Sequence, residues 1–122
     1  MNRLRALNDY GQVVWLDFIR RDLLIEGGLA RLIEEDGVTG VTSNPAIFEQ
    51  AIGGSSEYDA KIRGLLESGQ ADINSIYEAL VFEDIRLAAD ALRAVHDRTQ
   101  GVDGYVSLEV SPHLAYDFEG TV

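Results

Sequence analysis

Apolar residues in this chain fall into short compact runs, separated by longer stretches in which they recur at helical intervals. Val13-Val14-Trp15-Leu16 is an unbroken apolar run that stops at Asp17. Its length and its β-branched and aromatic content predict a strand buried on both faces. Phe18, Ile19, Leu23 and Leu24 then form a stripe, which predicts a helix from Phe18 to Ile25 ended by Gly27-Gly28. Leu29, Leu32 and Ile33 mark a further turn or two before the Asp36-Gly37 turn signal. Val38 to Thr42 reads as a second strand. It passes through Ser43 and Asn44 straight into a helix that starts at Pro45, where a missing N–H is harmless, and runs to Ile52.

Downstream, Ser55 or Ser56 is the expected cap of a helix over Glu57 to Glu67, with Tyr58, Ile62, Leu65 and Leu66 inward. Asp72 to Arg98 contains no Gly or Pro, and Val81, Ile85, Ala88, Leu92 and Val95 repeat at helical spacing. This predicts one long helix or two that meet near Phe82, with Ser75 and Glu78 at capping-box spacing. Tyr105 to Val110 reads as a third strand stopped by Pro112, and a new element starts at Leu114. Arg3 to Tyr10 forms a lead-in helix broken by Gly11. Strands alternating with helices predict an α/β fold with parallel strands and helical crossovers. No internal linker divides residues 1–122.

Composition narrows the classes of function. The chain has 122 residues and a formal net charge of -11. Without a basic cluster, nucleic acid and anionic membrane surfaces are poor partners. The N-terminal residues lack the apolar core of a secretory signal, and no run is long enough to span a bilayer. There is no cysteine, which suits a reducing compartment. A cytoplasmic protein is expected.

Three predicted strands end in polar groups: Asp17, the Thr42-Ser43-Asn44 set, and Glu109. Parallel strands bring these ends to one edge, where α/β enzymes place their chemistry. Two carboxylates and an amide on an apolar rim can move protons and bind hydroxyls. Each also has a plainer reading. Asp17 can cap the helix that follows it, and Asn44 can cap the helix at Pro45. Glu109 lies between Leu108 and Val110, inside the predicted strand, so in a central strand it is buried or lines a cavity, and a charge there requires a partner or a function. Gly53-Gly54-Ser55-Ser56 lacks a phosphate-loop lysine. His96 falls in the last turn of a helix, and His113 is a loop histidine near the rim. Asp17, Glu109 and Asp117 are too scattered for a metal signature.

The run Gly40-Val41-Thr42-Ser43-Asn44-Pro45-Ala46-Ile47-Phe48 resembles the transaldolase family. Val14-Trp15-Leu16-Asp17-Phe18-Ile19-Arg20-Arg21 is similar to its first strand and aspartate. Gly104-Tyr105-Val106-Ser107-Leu108-Glu109-Val110-Ser111-Pro112, with Leu114-Ala115-Tyr116-Asp117, is similar to its third strand and glutamate. The likeness covers nearly the whole chain and is nearest to the branch that also occurs fused to phosphoglucose isomerase. It implies a (β/α)8 barrel of the TIM type, of which residues 1–122 are the N-terminal part and the first three strand–helix units. It implies Schiff-base transfer of a dihydroxyacetone unit between ketose and aldose phosphates in the pentose phosphate pathway. The sugars would be fructose 6-phosphate, sedoheptulose 7-phosphate, erythrose 4-phosphate and glyceraldehyde 3-phosphate. Asp17 would be the acid/base for carbon–carbon cleavage, Glu109 would act through a water in imine formation, and Asn44 would hold substrate hydroxyls beside Thr42 and Ser43. No metal or organic cofactor is implied, because the imine is the electron sink.

The chain departs from that pattern in one respect that matters. The Schiff-base lysine comes from a fourth strand, whereas the single lysine here is Lys61, at a water-facing helical position beside Ile62. A barrel of this kind needs about 250 residues. The expectation is an N-terminal portion without a full catalytic cycle, marginally stable or oligomeric by itself. The alternatives are a non-catalytic sugar-phosphate-binding or self-associating module, and a lysine-independent lyase using Asp17 and Glu109.

Overall fold

The computed structural model describes residues 2–122. Three strands, β1 (Val14–Leu16), β2 (Val38–Val41) and β3 (Tyr105–Val106), form a parallel sheet in the order β1-β2-β3. Helices α1 (Arg21–Ile25) and α2 (Gly28–Arg31) join β1 to β2, the latter continuing as a wider turn over Leu32–Asp36. Helices α3 (Pro45–Gly53), α4 (Asp59–Glu67) and α5 (Ile73–Arg98) join β2 to β3. A short helix α6 (Phe118–Thr121) follows a turn over Pro112–Leu114. The alternation expected for an α/β fold is present, and its small parallel sheet is consistent with part of a TIM-type fold.

The two faces of the sheet differ. Leu16, Val41 and Val106 share one register position, and all belong to the apolar core under the helices. Ile19, Leu29, Phe48, Ala88, Leu92 and Val95 fill that core and are essentially inaccessible to water. Burial of a side chain such as Phe48 contributes about 1.5–3 kcal/mol. The opposite face carries Trp15, Gly40 and Tyr105 in register. There Trp15 is 37% and Tyr105 46% exposed. The first strand is therefore half-open rather than buried on both faces, because it lies at a sheet edge with one face uncovered.

Gly40 is what lets Trp15 lie flat on the sheet. A Cβ at Gly40 would come within 2.2 Å of the indole ring, whose Nε1 donates to Asp103 at 3.0 Å. Asp103 also accepts the Gly104 N–H. Gly104 has φ of +93°, and a Cβ there would meet the His96 backbone nitrogen at 2.4 Å. The indole thereby ties β1 to the turn before β3, and the absent side chain of Gly104 lets that turn approach the end of α5.

Several local expectations need correction. The helix expected from Phe18 starts at Arg21, with Arg20 fully extended (φ -155°, ψ 147°). Ile19 is buried in the core, which draws residues 17–20 off a helical path. The third strand ends at Val106 instead of Val110. Ser107 still donates its N–H to the Val41 carbonyl at 2.9 Å. Beyond that, β2 has already turned into α3, so nothing remains for residues 108–110 to pair with. Asp72, and not a Ser75–Glu78 box, caps α5, accepting from both the N–H and the hydroxyl of Ser75. Ser55 donates to the Ala51 carbonyl instead of capping α4, and Leu66 faces water. The long segment is one 26-residue helix, unbroken at Phe82.

Gly40→Ala is expected to lift the indole from the sheet and destabilise the chain by about 1–3 kcal/mol. Denaturant unfolding followed by the fluorescence of the single Trp15 measures this, with a changed native emission before unfolding begins.

Candidate active site

Strand geometry carries Asp17, Thr42 and Ser107 to the same edge of the sheet, since all three strands are parallel and each residue immediately follows its strand. Thr42 donates its N–H to the Leu16 carbonyl at 2.8 Å and its hydroxyl to Asp17 Oδ1 at 2.6 Å. Asp17 is exposed, with one oxygen held by that hydroxyl. Ser43, on the other side of the chain, is 2% exposed. Its hydroxyl donates to the Ser107 carbonyl at 2.6 Å. Asn44 is the N-cap of α3: its Oδ1 accepts the Ile47 N–H at 3.0 Å, with Pro45 at the next position. The plainer reading of Asn44 as a cap is therefore correct for its carbonyl oxygen. The side-chain NH₂ carries two further hydrogens that a ligand could accept.

Glu109 lies elsewhere in this arrangement. The sequence places it inside a strand, buried or lining a cavity; in the structure it is exposed and past the strand's end. It lines a groove of about 720 Å³ between the first half of α5 and residues 108–121. Tyr77, Val81, Phe82, Leu108 and His113 share that groove with Glu109, and Pro45 forms one wall. Asp17, Thr42 and Asn44 are not on its lining. One edge of the sheet thus carries two neighbouring polar groups, Asp17 with its hydroxyl partner Thr42 beside Asn44, and Glu109 in the adjoining groove. Among the described residues no cluster of three or more His, Cys, Asp or Glu could hold a metal ion.

Lys61 is 46% exposed and pairs with Glu83 at 3.2 Å, outside this rim. His96 packs edge-to-face on Tyr105 at 5.5 Å. No helix among the described residues is long and apolar enough to cross a membrane.

Sequence reasoning missed a buried ionic cluster under the helices. Arg21 Nε donates to Asp84 Oδ1 at 2.9 Å, and the Tyr58 hydroxyl donates to Asp84 Oδ2. That hydroxyl also accepts the backbone N–H of Arg21 at 3.1 Å. The Arg21 guanidinium lies 4.7 Å from the Tyr58 ring centroid, a favourable cation–π distance. Asp84 has no exposed surface. Burial, then the Asp84 carboxylate, push the Tyr58 hydroxyl above its ordinary range. One signal was legible in the chain: Asp84 falls four residues from both Leu80 and Ala88, on the apolar stripe of its helix. A carboxylate at such a position demands a buried partner.

With the geometry in place, similarity to known proteins decides the family. The model of the family described as Transaldolase/Fructose-6-phosphate aldolase matches residues 14–122. The chain belongs to that family. A protein named Transaldolase from Thiobacillus denitrificans is 52% identical over 122 residues, covering 100% of this chain and 34% of the relative. One named Transaldolase 2 from Nostoc punctiforme is 47% identical over 121 residues, covering 99% and 32%. One named Transaldolase from Thermobifida fusca is 48% identical over 119 residues, covering 98% and 32%. The chain thus spans about a third of the length of these transaldolases.

Asn44→Ala is expected to destabilise α3 by about 1 kcal/mol, whereas Asn44→Asp retains most of the cap; thermal melts of the two variants compare them directly. The cluster makes a second, pH-dependent prediction. The Tyr58 hydroxyl is raised in the fold above its unfolded value of 10.0. Its contribution is complete below that value and is lost as pH rises through the higher folded value. Stability measured by denaturant titration should therefore fall above pH 10, and this alkaline loss should shrink in Tyr58→Phe.

Proposed function

We propose that this chain is the N-terminal portion of a Schiff-base transaldolase and supplies the first three strand–helix units of its barrel. Asp17, held by the Thr42 hydroxyl at the C-terminal edge of a parallel sheet, is the observation that carries the reading. In this reaction a lysine outside the chain forms an imine with a ketose phosphate such as fructose 6-phosphate or sedoheptulose 7-phosphate. Asp17 takes the proton from the hydroxyl next to the breaking carbon–carbon bond. The electrons of that bond pass into the imine, leaving a three-carbon enamine and releasing the aldose, glyceraldehyde 3-phosphate from the six-carbon ketose or erythrose 4-phosphate from the seven-carbon one. In the reverse direction Asp17 returns the proton to the new hydroxyl. Thr42 keeps the carboxylate oriented, and the Asn44 NH₂ binds substrate hydroxyls while its oxygen stays on the helix. Ser43 serves the pocket indirectly, by fastening β2 to the Ser107 carbonyl. Glu109 acts through a water during imine formation once further chain encloses its groove. A cytoplasmic, metal-independent enzyme accords with the absence of cysteine and with imine chemistry.

Lys61 does not take the nucleophile's part in this reading. It is water-facing and paired with Glu83, whereas an imine-forming lysine sits in an apolar pocket next to its substrate. A second reading, a self-associating partial-barrel module, draws on the open Trp15–Tyr105 face. Sedimentation over a concentration range separates it, because self-association that persists when the rest of a transaldolase is supplied favours the module.

The chain alone should show no sugar transfer. Mixing it with the remaining two-thirds of the Thiobacillus denitrificans transaldolase should restore turnover. Borohydride with fructose 6-phosphate should then label the added polypeptide, and label at Lys61 would overturn the assignment. Asp17→Asn in the reconstituted pair should lower kcat by about 10²–10⁴-fold.

A further inference from the structure

We propose that Tyr58, Arg21 and Asp84 are positioning residues for Asp17, a claim that rests on the catalytic role proposed for that aspartate. Residues 17–20 lie outside any helix or strand, so their path is set by the anchors at either end. Upstream, the Leu16 carbonyl is held by the Thr42 N–H at 2.8 Å. Midway, Ile19 is fully buried in the core. Downstream, the anchor is the Tyr58 hydroxyl, which accepts the Arg21 N–H at 3.1 Å.

That third anchor has a specific design. The residue before α1, Arg20, makes no side-chain cap. Tyr58, distant in sequence, supplies an acceptor for the first N–H of the helix in place of a local one. A tyrosine hydroxyl has a single hydrogen, and here Asp84 takes it. The lone pairs are thereby turned toward Arg21. Asp84 is in turn held by Arg21 Nε at 2.9 Å, and the guanidinium also reaches the Leu80 carbonyl at 3.4 Å. The circuit begins and ends on the residue that closes the loop carrying Asp17. A cluster that merely paired two buried charges would need the side chains of Arg21 and Asp84 alone. This one includes the main-chain N–H at the loop's end, which converts a rigid interior contact into a fixed position for the chain four residues from Asp17.

Tyr58→Phe removes the hydroxyl and keeps the ring. In this chain it should accelerate hydrogen exchange of the Arg21 amide by about tenfold or more. It should also shift the Asp17 carboxyl carbon resonance, with the Thr42 and Ile47 amides unchanged. In the reconstituted pair, kcat should fall by about tenfold with KM for fructose 6-phosphate within about twofold, since a displaced base affects the chemical step and not ground-state binding. Asp84→Asn keeps the shape of the cluster but weakens the acceptor that turns the hydroxyl. It should give the same displacement in lesser degree and serves where Tyr58→Phe does not fold. An Asp17 resonance and kcat that stay unchanged while the Arg21 amide is freed would overturn the proposal. Should the reconstituted wild-type pair be inactive, the functional reading fails, and the exchange and resonance data still decide the positioning claim.

Discussion

Four residues of β2 hold the sheet together. Val38 to Val41 are all buried, and β2 alone among the described strands is paired on both sides. The three residues that follow it each point their side-chain oxygen in a different direction. Thr42 reaches sideways to Asp17 after β1, Ser43 to the Ser107 carbonyl after β3, and Asn44 forward to the first turn of α3. Alternation along an extended chain sends neighbouring side chains to opposite faces, so a short polar run can fasten three elements at once. The candidate site is therefore built on the same bonds that close the sheet.

Beneath the sheet, the helical layer holds a buried ionic cluster within a largely apolar core. Buried ion pairs seldom add much net stability over apolar replacements, because desolvation offsets the attraction. What the Arg21–Tyr58–Asp84 cluster adds is direction. An arginine fork, a carboxylate and a single hydroxyl have few ways to satisfy one another, whereas leucines in the same space would pack in several. Its bonds unite α1, the start of α4 and the middle of α5, and through the Arg21 N–H they fix where α1 begins.

Above the sheet the situation is reversed. Trp15 and Tyr105 remain partly wet, Leu108 and Val110 are about half exposed, and the groove around Glu109 has Tyr77, Val81 and Phe82 of α5 on its lining. The helix-facing side is closed to water, while the other side offers apolar surface without a covering layer. This asymmetry accords with a chain that matches about a third of the length of its transaldolase relatives.

The order of strands and helices, their parallel sense, and Asp17 and Thr42 at the ends of the first two strands were legible in the chain, because apolar period and glycine or proline punctuation report local geometry directly. The Asn44-Pro45 cap was legible for the same reason: donor and acceptor lie three residues apart. Where a boundary depended on a distant partner, local pattern was silent. Helix α1 starts at Arg21 because Tyr58 and Asp84 meet it there. The third strand stops at Val106 because β2 leaves the sheet at Asn44, which moves Glu109 out of the ladder and into the groove. Trp15 lies over Gly40 because Asp103 holds its indole. Local sequence determined which elements form and in what order. Tertiary contacts decided where those elements begin and stop, and which polar groups meet, since such partners are brought together only when the chain has folded.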